Sequence, residues 1–123
     1  MKCLIVDDNK EIAELLTKFL TLNGYRCDVS HNGKDGVDQI LTNNYDFILL
    51  DLAMPESSGF DLIESLAKKG KLKSQKIIVM TASSISDEEL VQLLRKGMRY
   101  LRKPLDLDRL LEVIISCTNE ITQ

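Results

Sequence analysis

The stretch Phe47-Ile48-Leu49-Leu50-Asp51-Leu52-Ala53-Met54-Pro55 constrains this chain more than any other. Four apolar residues run straight into an acid. A short apolar run of this kind reads as a strand buried on both faces, as in a parallel sheet. Asp51 stands where that strand emerges at its carboxyl end, the edge at which open α/β sheets bind ligands. Pro55 cannot continue a ladder, and Ser57-Ser58-Gly59 are turn formers, so a loop is expected at once. Taken alone, Asp51 reads first as an acid that starts a turn or caps the next helix. The other strands change that reading.

Four more short strands alternate with helical patterns. Lys2 to Val6 is β-branched and apolar and ends in Asp7-Asp8-Asn9. Ile12, Leu15, Leu16, Phe19 and Leu20 then form one helical stripe, stopped at Asn23-Gly24. Tyr25 to His31 alternates with a polar half, as an edge strand does. Asn32-Gly33 turns the chain into a short helix carrying Val37, Ile40 and Leu41. After the central strand, Phe60, Ile63, Leu66 and Ala67 mark a helix over 59–69. Ile77-Ile78-Val79-Met80 is a second doubly buried strand, opening into Thr81-Ala82-Ser83-Ser84. Ser86 with Asp87, Glu88 and Glu89 has helix-start character, and Leu90, Val91, Leu93 and Leu94 follow. Met98 to Arg102 is the fifth strand, opening into Lys103-Pro104. Leu107, Leu110, Leu111, Ile114 and Ile115 belong to the last helix. Five uninterrupted strand–helix units imply an α/β fold, a parallel sheet covered on both faces, with few topologies left once crossovers are right-handed. One domain over 1–123 is expected.

Composition removes several classes. The apolar and charged fractions, 44% and 28%, are those of a globular chain. No apolar run approaches the roughly 20 residues of a membrane span, and acids appear too early for a secretory signal; a cytoplasmic protein with no membrane partner is expected. A net charge of -3 favours no nucleic acid. Lys68, Lys69, Lys71 and Lys73 read as a solvated helix end and loop. Cys3, Cys27 and Cys117 have no metal or redox spacing, and His31 is the single histidine. A zinc site and a Cys–His nucleophile pair are therefore disfavoured.

Parallel strands expose their carboxyl ends on one edge. Asp7 and Asp8, Asp51, Thr81 and Lys103 can therefore converge although far apart in sequence. Three clustered carboxylates repel strongly unless a cation lies among them. Oxygen-only ligands suit Mg²⁺. Lys103 and Thr81 suit a tetrahedral oxyanion such as a phosphoryl group. No glycine-rich nucleotide loop is present, whereas a carboxylate can itself be a nucleophile toward phosphorus. Asp51, central in the sheet, is the candidate.

This order of residues resembles the receiver domain of two-component response regulators. The likeness covers Lys2 to about Asn119 and rests on Val-Asp-Asp at 6–8, Leu-Leu-Asp-Leu-Ala-Met-Pro at 49–55 with Gly59, Met-Thr-Ala at 80–82 and Lys-Pro at 103–104. The resemblance implies a doubly wound (βα)5 fold of flavodoxin-like, CheY-like strand order 2-1-3-4-5. It implies that Asp51 accepts a phosphoryl group from a histidine kinase or histidine phosphotransfer protein. Mg²⁺ would be held by Asp8, Asp51 and the Ala53 carbonyl, with Asp7 acting mainly through a water. Thr81 and Lys103 would bind phosphoryl oxygens, the Lys103–Pro104 bond would be cis, and Thr81 and Tyr100 would form a switch. The surface of helix four, strand five and helix five would then change. The chain is expected to be a switch, an enzyme only toward its own phosphorylation and dephosphorylation, and a monomer or weak dimer with an unspecified protein target.

Departures from the family pattern are visible. Two residues separate Gly97 from Tyr100, where three are common, so a shorter loop into strand five is expected. Arg99 and Arg102 make that surface basic. Ala53 and Ser83 are small, which leaves water access and predicts fast self-dephosphorylation. A stand-alone receiver is favoured over an excised part of a longer regulator, both readings staying open. Two rival classes also stay open: a Mg²⁺ phosphohydrolase, which would need an acid where Ala53 stands, and a flavin-type cofactor binder, which the acidic strand ends disfavour.

Overall fold

The computed structural model describes residues 1–54, 58–82 and 85–119. The strands are β1 (Lys2–Val6), β2 (Arg26–Ser30), β3 (Phe47–Asp51), β4 (Ile77–Thr81) and β5 (Arg99–Arg102). The helices are α1 (Lys10–Leu22), α2 (Gly33–Thr42), α3 (Gly59–Lys68), α4 (Asp87–Arg95) and α5 (Leu107–Thr118). A 3₁₀ turn at Leu72–Ser74 leads into β4. All strand pairs are parallel, as the strand–helix alternation predicted, and the order is β2-β1-β3-β4-β5, as the family resemblance implied.

Strand periodicity divides the core. Leu4, Val6, Ile48, Leu50, Ile77 and Val79 face one side, where α2, α3 and α4 supply Val37, Ile40, Leu62, Leu66 and Leu93. Cys3, Ile5, Leu49, Ile78, Met80 and Leu101 face the other, against Leu16 and Leu20 of α1 and Leu110 and Ile114 of α5. The three central strands are therefore apolar at successive positions, because both faces are covered.

Helix starts are chemically marked. Asn9, Asn32, Ser58, Ser86 and Asp106 each accept a backbone N–H in the first turn, and Ser86 with Glu89 completes a reciprocal capping box. Gly97 follows α4 at φ +85°, a left-handed conformation that glycine adopts without a Cβ clash. Met98 then bridges directly into β5. Each helix returns to the amino edge of the sheet, so the helix-to-strand turns near Gly24, Asn43, Gly70 and Gly97 gather there.

Several expectations need adjustment. β2 is one residue shorter at each end than the alternation suggested, and β5 starts at Arg99 rather than Met98. The stripe of α1 is turned: Ala13, Leu16 and Leu20 are buried, whereas Leu15 is 57% exposed. In α5, Val113 and Cys117 are buried and Ile115 faces outward. Val91 and Leu94 of α4 and Leu41 of α2 are likewise exposed. The in-register pairing of β1 with β2 sets Cys3 opposite Cys27, with the sulfurs 3.2 Å apart. Spacing along the sequence gave no sign of that contact.

Candidate functional site

The strand registers assemble the site. Val6 lies opposite Leu50, so Asp7, the next residue, comes level with Asp51 at the end of β3. Thr81 ends β4 opposite Arg102, and the Lys103 N–H donates to the Thr81 carbonyl at 2.8 Å. Asp7, Asp8 and Asp51 each offer a carboxylate oxygen within 4.8 Å of the others. The predicted convergence of strand ends is therefore present.

Asp51 is almost wholly buried. Its Oδ1 accepts from the Ala53 N–H at 3.0 Å and faces Lys103 Nζ at 3.1 Å. Asp7 is fully buried; its Oδ1 accepts from the Asn9 N–H at 2.9 Å. The other oxygen, Oδ2, is buried with no hydrogen-bond partner among the described residues. Burial pushes the Asp7 carboxyl up to about 6; the Asn9 N–H opposes that push, the charge of Asp51 adds to it, and Lys103 opposes it. Three acids against one ammonium leave an excess of negative charge in a partly enclosed cleft.

That excess tests whether a metal fits. Buried polar atoms in folded proteins have partners, and an orphaned carboxylate oxygen beside two further carboxylates is the donor set of a hard divalent cation. The cluster holds neither sulfur nor imidazole donors, so the chemistry suits Mg²⁺ rather than a softer ion.

The remaining predicted residues surround this cluster. The Thr81 hydroxyl is buried and donates to the Leu101 carbonyl at a long 3.4 Å. Ala53 is exposed, and with Phe60, Thr81, Ala82 and Ile85 it lines a hollow of about 200 Å³ beside Asp51. Tyr100 is half-buried in β5, packs with the cluster containing Leu93 and Met98, and has the Arg102 guanidinium 5.8 Å from its ring centre. The Lys103–Pro104 bond is cis. Pro55, Ser57 and Ser83 lie outside the described residues.

His31 was not singled out as a contributor from the sequence, and Gly59 was named there only for its place in the motif. His31 Nδ1 lies 3.1 Å from the Asp7 carbonyl oxygen, which selects the tautomer protonated at Nδ1. Only the β1–β2 register brings it there. Gly59 opens α3 so close to β3 that a Cβ would stand 2.7 Å from the Asp51 carbonyl oxygen. Its place soon after the acid was the visible signal; the need for a missing side chain was not.

The family model for the response regulator receiver domain matches residues 3–115. The chain belongs to this family. It is 35% identical over 111 residues to the transcriptional regulatory protein DltR of Streptococcus agalactiae, covering 90% of this chain and 49% of that one. It thus spans about half the length of that regulator. Among solved structures, the Francisella response regulator 1452 receiver domain shares 31% identity at a TM-score of 0.86, with 98% of each chain covered. Response regulator TrrA from Thermotoga maritima, solved in complex with Mg²⁺-BeF, shares 33% identity at a TM-score of 0.80, covering 94% of this chain and 97% of that one. Receiver domains are phosphorylation-activated switches of two-component systems, and response regulators receive phosphate from histidine kinases. Among the described residues, no helix of this receiver is long and apolar enough to cross a membrane.

Proposed function

We propose that this receiver takes a phosphoryl group onto Asp51 from the phosphohistidine of a kinase or phosphotransfer protein, in a Mg²⁺-dependent reaction. The observation that carries the proposal is the buried Asp51 carboxylate, held by Lys103 and the Ala53 N–H beside two more acids. An Asp51 oxygen attacks phosphorus, the bond from phosphorus to the donor imidazole breaks, and its electron pair leaves with the nitrogen. Lys103 Nζ offsets charge on the phosphoryl oxygens. Asp7, Asp8, Asp51 and the Ala53 carbonyl would hold Mg²⁺, which supplies further charge neutralisation there. The complex of TrrA with Mg²⁺-BeF supports this reading.

An apolar hollow of about 300 Å³, lined by Ile12, Leu15, Leu105 and Leu107, adjoins Lys103. It offers a protein donor a seat next to the acids, with Leu15 on its wall. The new phosphate adds charge and acceptor oxygens. Thr81 would release the Leu101 carbonyl and turn to them, Tyr100 would follow, and the face of α4, β5 and α5 would change. Phosphorylation thereby biases two arrangements of one fold. Ala53 leaves the acyl phosphate open to water, so the signal is short-lived. The protein acts in the cytoplasm as a monomer or weak dimer on a protein target, without contacting nucleic acid, and as a switch rather than a turnover enzyme.

Intact mass after incubation with Mg²⁺ and acetyl phosphate, then with a phosphohistidine protein donor, tests the proposal. The wild type should gain one phosphoryl group and Asp51→Asn none. No gain from either donor would overturn the assignment.

A further inference from the structure

Cys3 and Cys27 both carry free thiols, yet their sulfurs lie 3.2 Å apart. Register brings them together: Cys3 of β1 stands opposite Cys27 of β2, on the sheet face that α1 and α5 cover. Adjacent strands run about 4.8 Å apart, inside the span of roughly 4.4–6.8 Å that a disulfide needs between its Cα atoms. Closing the bond therefore asks for about 1 Å of side-chain approach and no new pairing of the strands.

The two sulfurs are not equivalent. Cys3 is fully buried, with Phe47 of β3 in register on its other side, whereas Cys27 is half-buried in the edge strand. The Cys3 thiol donates to the Cys27 sulfur. The Thr21 hydroxyl, near the end of α1, also favours the Cys27 thiolate. Burial holds both thiols above the ordinary range, but the bond between them raises Cys3 further and lowers Cys27. Cys27 is thus the sulfur that solvent reaches and that ionises first, and the thiolate is the reactive form.

We propose that Cys27 and Cys3 form an oxidation site for peroxides, with Cys27 taking the oxygen and Cys3 closing a disulfide. The Cys27 thiolate attacks one oxygen of hydrogen peroxide. The O–O bond breaks, and the second oxygen leaves as hydroxide and takes up the proton that Cys27 released. The Cys3 sulfur then attacks the Cys27 sulfenic acid. The S–O bond breaks, and the departing hydroxide takes the Cys3 proton, so two thiols and one peroxide give one disulfide and two waters. Burial disfavours both thiolates, so sustained peroxide drives the reaction rather than a brief pulse. A thiol reductant reverses it. The closed ring runs from Cys3 to Cys27 and holds Asp7, Asp8 and α1. Oxidation therefore ties the edge strand β2 to the unit that carries the acid pair, whatever the chemistry at Asp51.

The test is peptide mapping of the reduced, folded chain after hydrogen peroxide treatment, without reductant. The expected product is a single chain two hydrogens lighter, with the Cys3 and Cys27 peptides linked and Cys117 still open to alkylation after unfolding. Dithiothreitol should restore the original mass. With dimedone present to trap sulfenic acid, Cys3→Ala should be labelled at Cys27, and Cys27→Ser should not be labelled at Cys3. If Cys3→Ala misfolds, the wild-type map and Cys27→Ser decide. The linked chain should need more urea to unfold than the reduced chain, and its β2 amides should exchange about tenfold more slowly or slower still. Cys27→Ser under the same peroxide should show neither change. No linkage in the folded chain, linkage to Cys117 or between chains, or linkage that forms only in urea overturns the proposal. So does a linked chain that unfolds more readily than the reduced one, because the β1–β2 register then fails to accommodate the bond.

Discussion

Asp7, proposed above as a metal ligand, shows how a buried acid can oppose the fold that carries it. Its Oδ2 is buried without a partner among the described residues, and its carboxyl is pushed up to about 6, mainly by burial. The folded chain therefore keeps a proton that the unfolded chain, near the ordinary value of 3.8, has released. The stability tied to that proton is fully present below about pH 4 and is lost as pH rises through about 6. In metal-free protein at pH 7, Asp7→Asn should raise unfolding stability by on the order of 1–3 kcal/mol, and the gain should shrink toward pH 4. Urea denaturation at several pH values measures it. Added Mg²⁺ should stabilise the wild type more than the variant, closing the gap.

At the scale of the element, patterning placed every strand and long helix, because each carries its own period and stop signal. It did less well at choosing the inward side of a helix. Apolar doublets such as Leu15-Leu16, Leu110-Leu111 and Ile114-Ile115 leave the phase open by one residue. Packing decides it: in α1 the small Ala13 lies against the sheet and rotates Leu15 outward. Leu16→Ala should therefore cost about 2–5 kcal/mol, and Leu15→Ala within about 0.5 kcal/mol, by denaturant unfolding. The strand-end acids, hydroxyl and lysine were legible because parallel strands share one carboxyl edge. The His31 contact, the Cys3–Cys27 contact and the closeness of Gly59 to Asp51 were not, since each depends on register and interatomic distance rather than on residue type.

At the scale of the molecule, chemistry and chain reversal occupy opposite edges of the sheet. Asp7, Asp51, Thr81 and Lys103 stand at the carboxyl edge, whereas the turns near Gly24, Asn43, Gly70 and Gly97 stand at the other. Turns of that kind, exposed and poor in buried contacts, are where a chain tolerates reconnection. A circular permutant opened between Asn43 and Asn44, with the original ends joined by a flexible linker, should keep its thermal stabilisation by Mg²⁺ and beryllofluoride. One opened between Asp8 and Asn9 should lose it, because the Asn9 N–H that holds Asp7 and the Asn9 cap of α1 are both disturbed. The molecule thus has one border where the chain can be cut and retied, and an opposite border that carries the acids, the hydroxyl and the lysine.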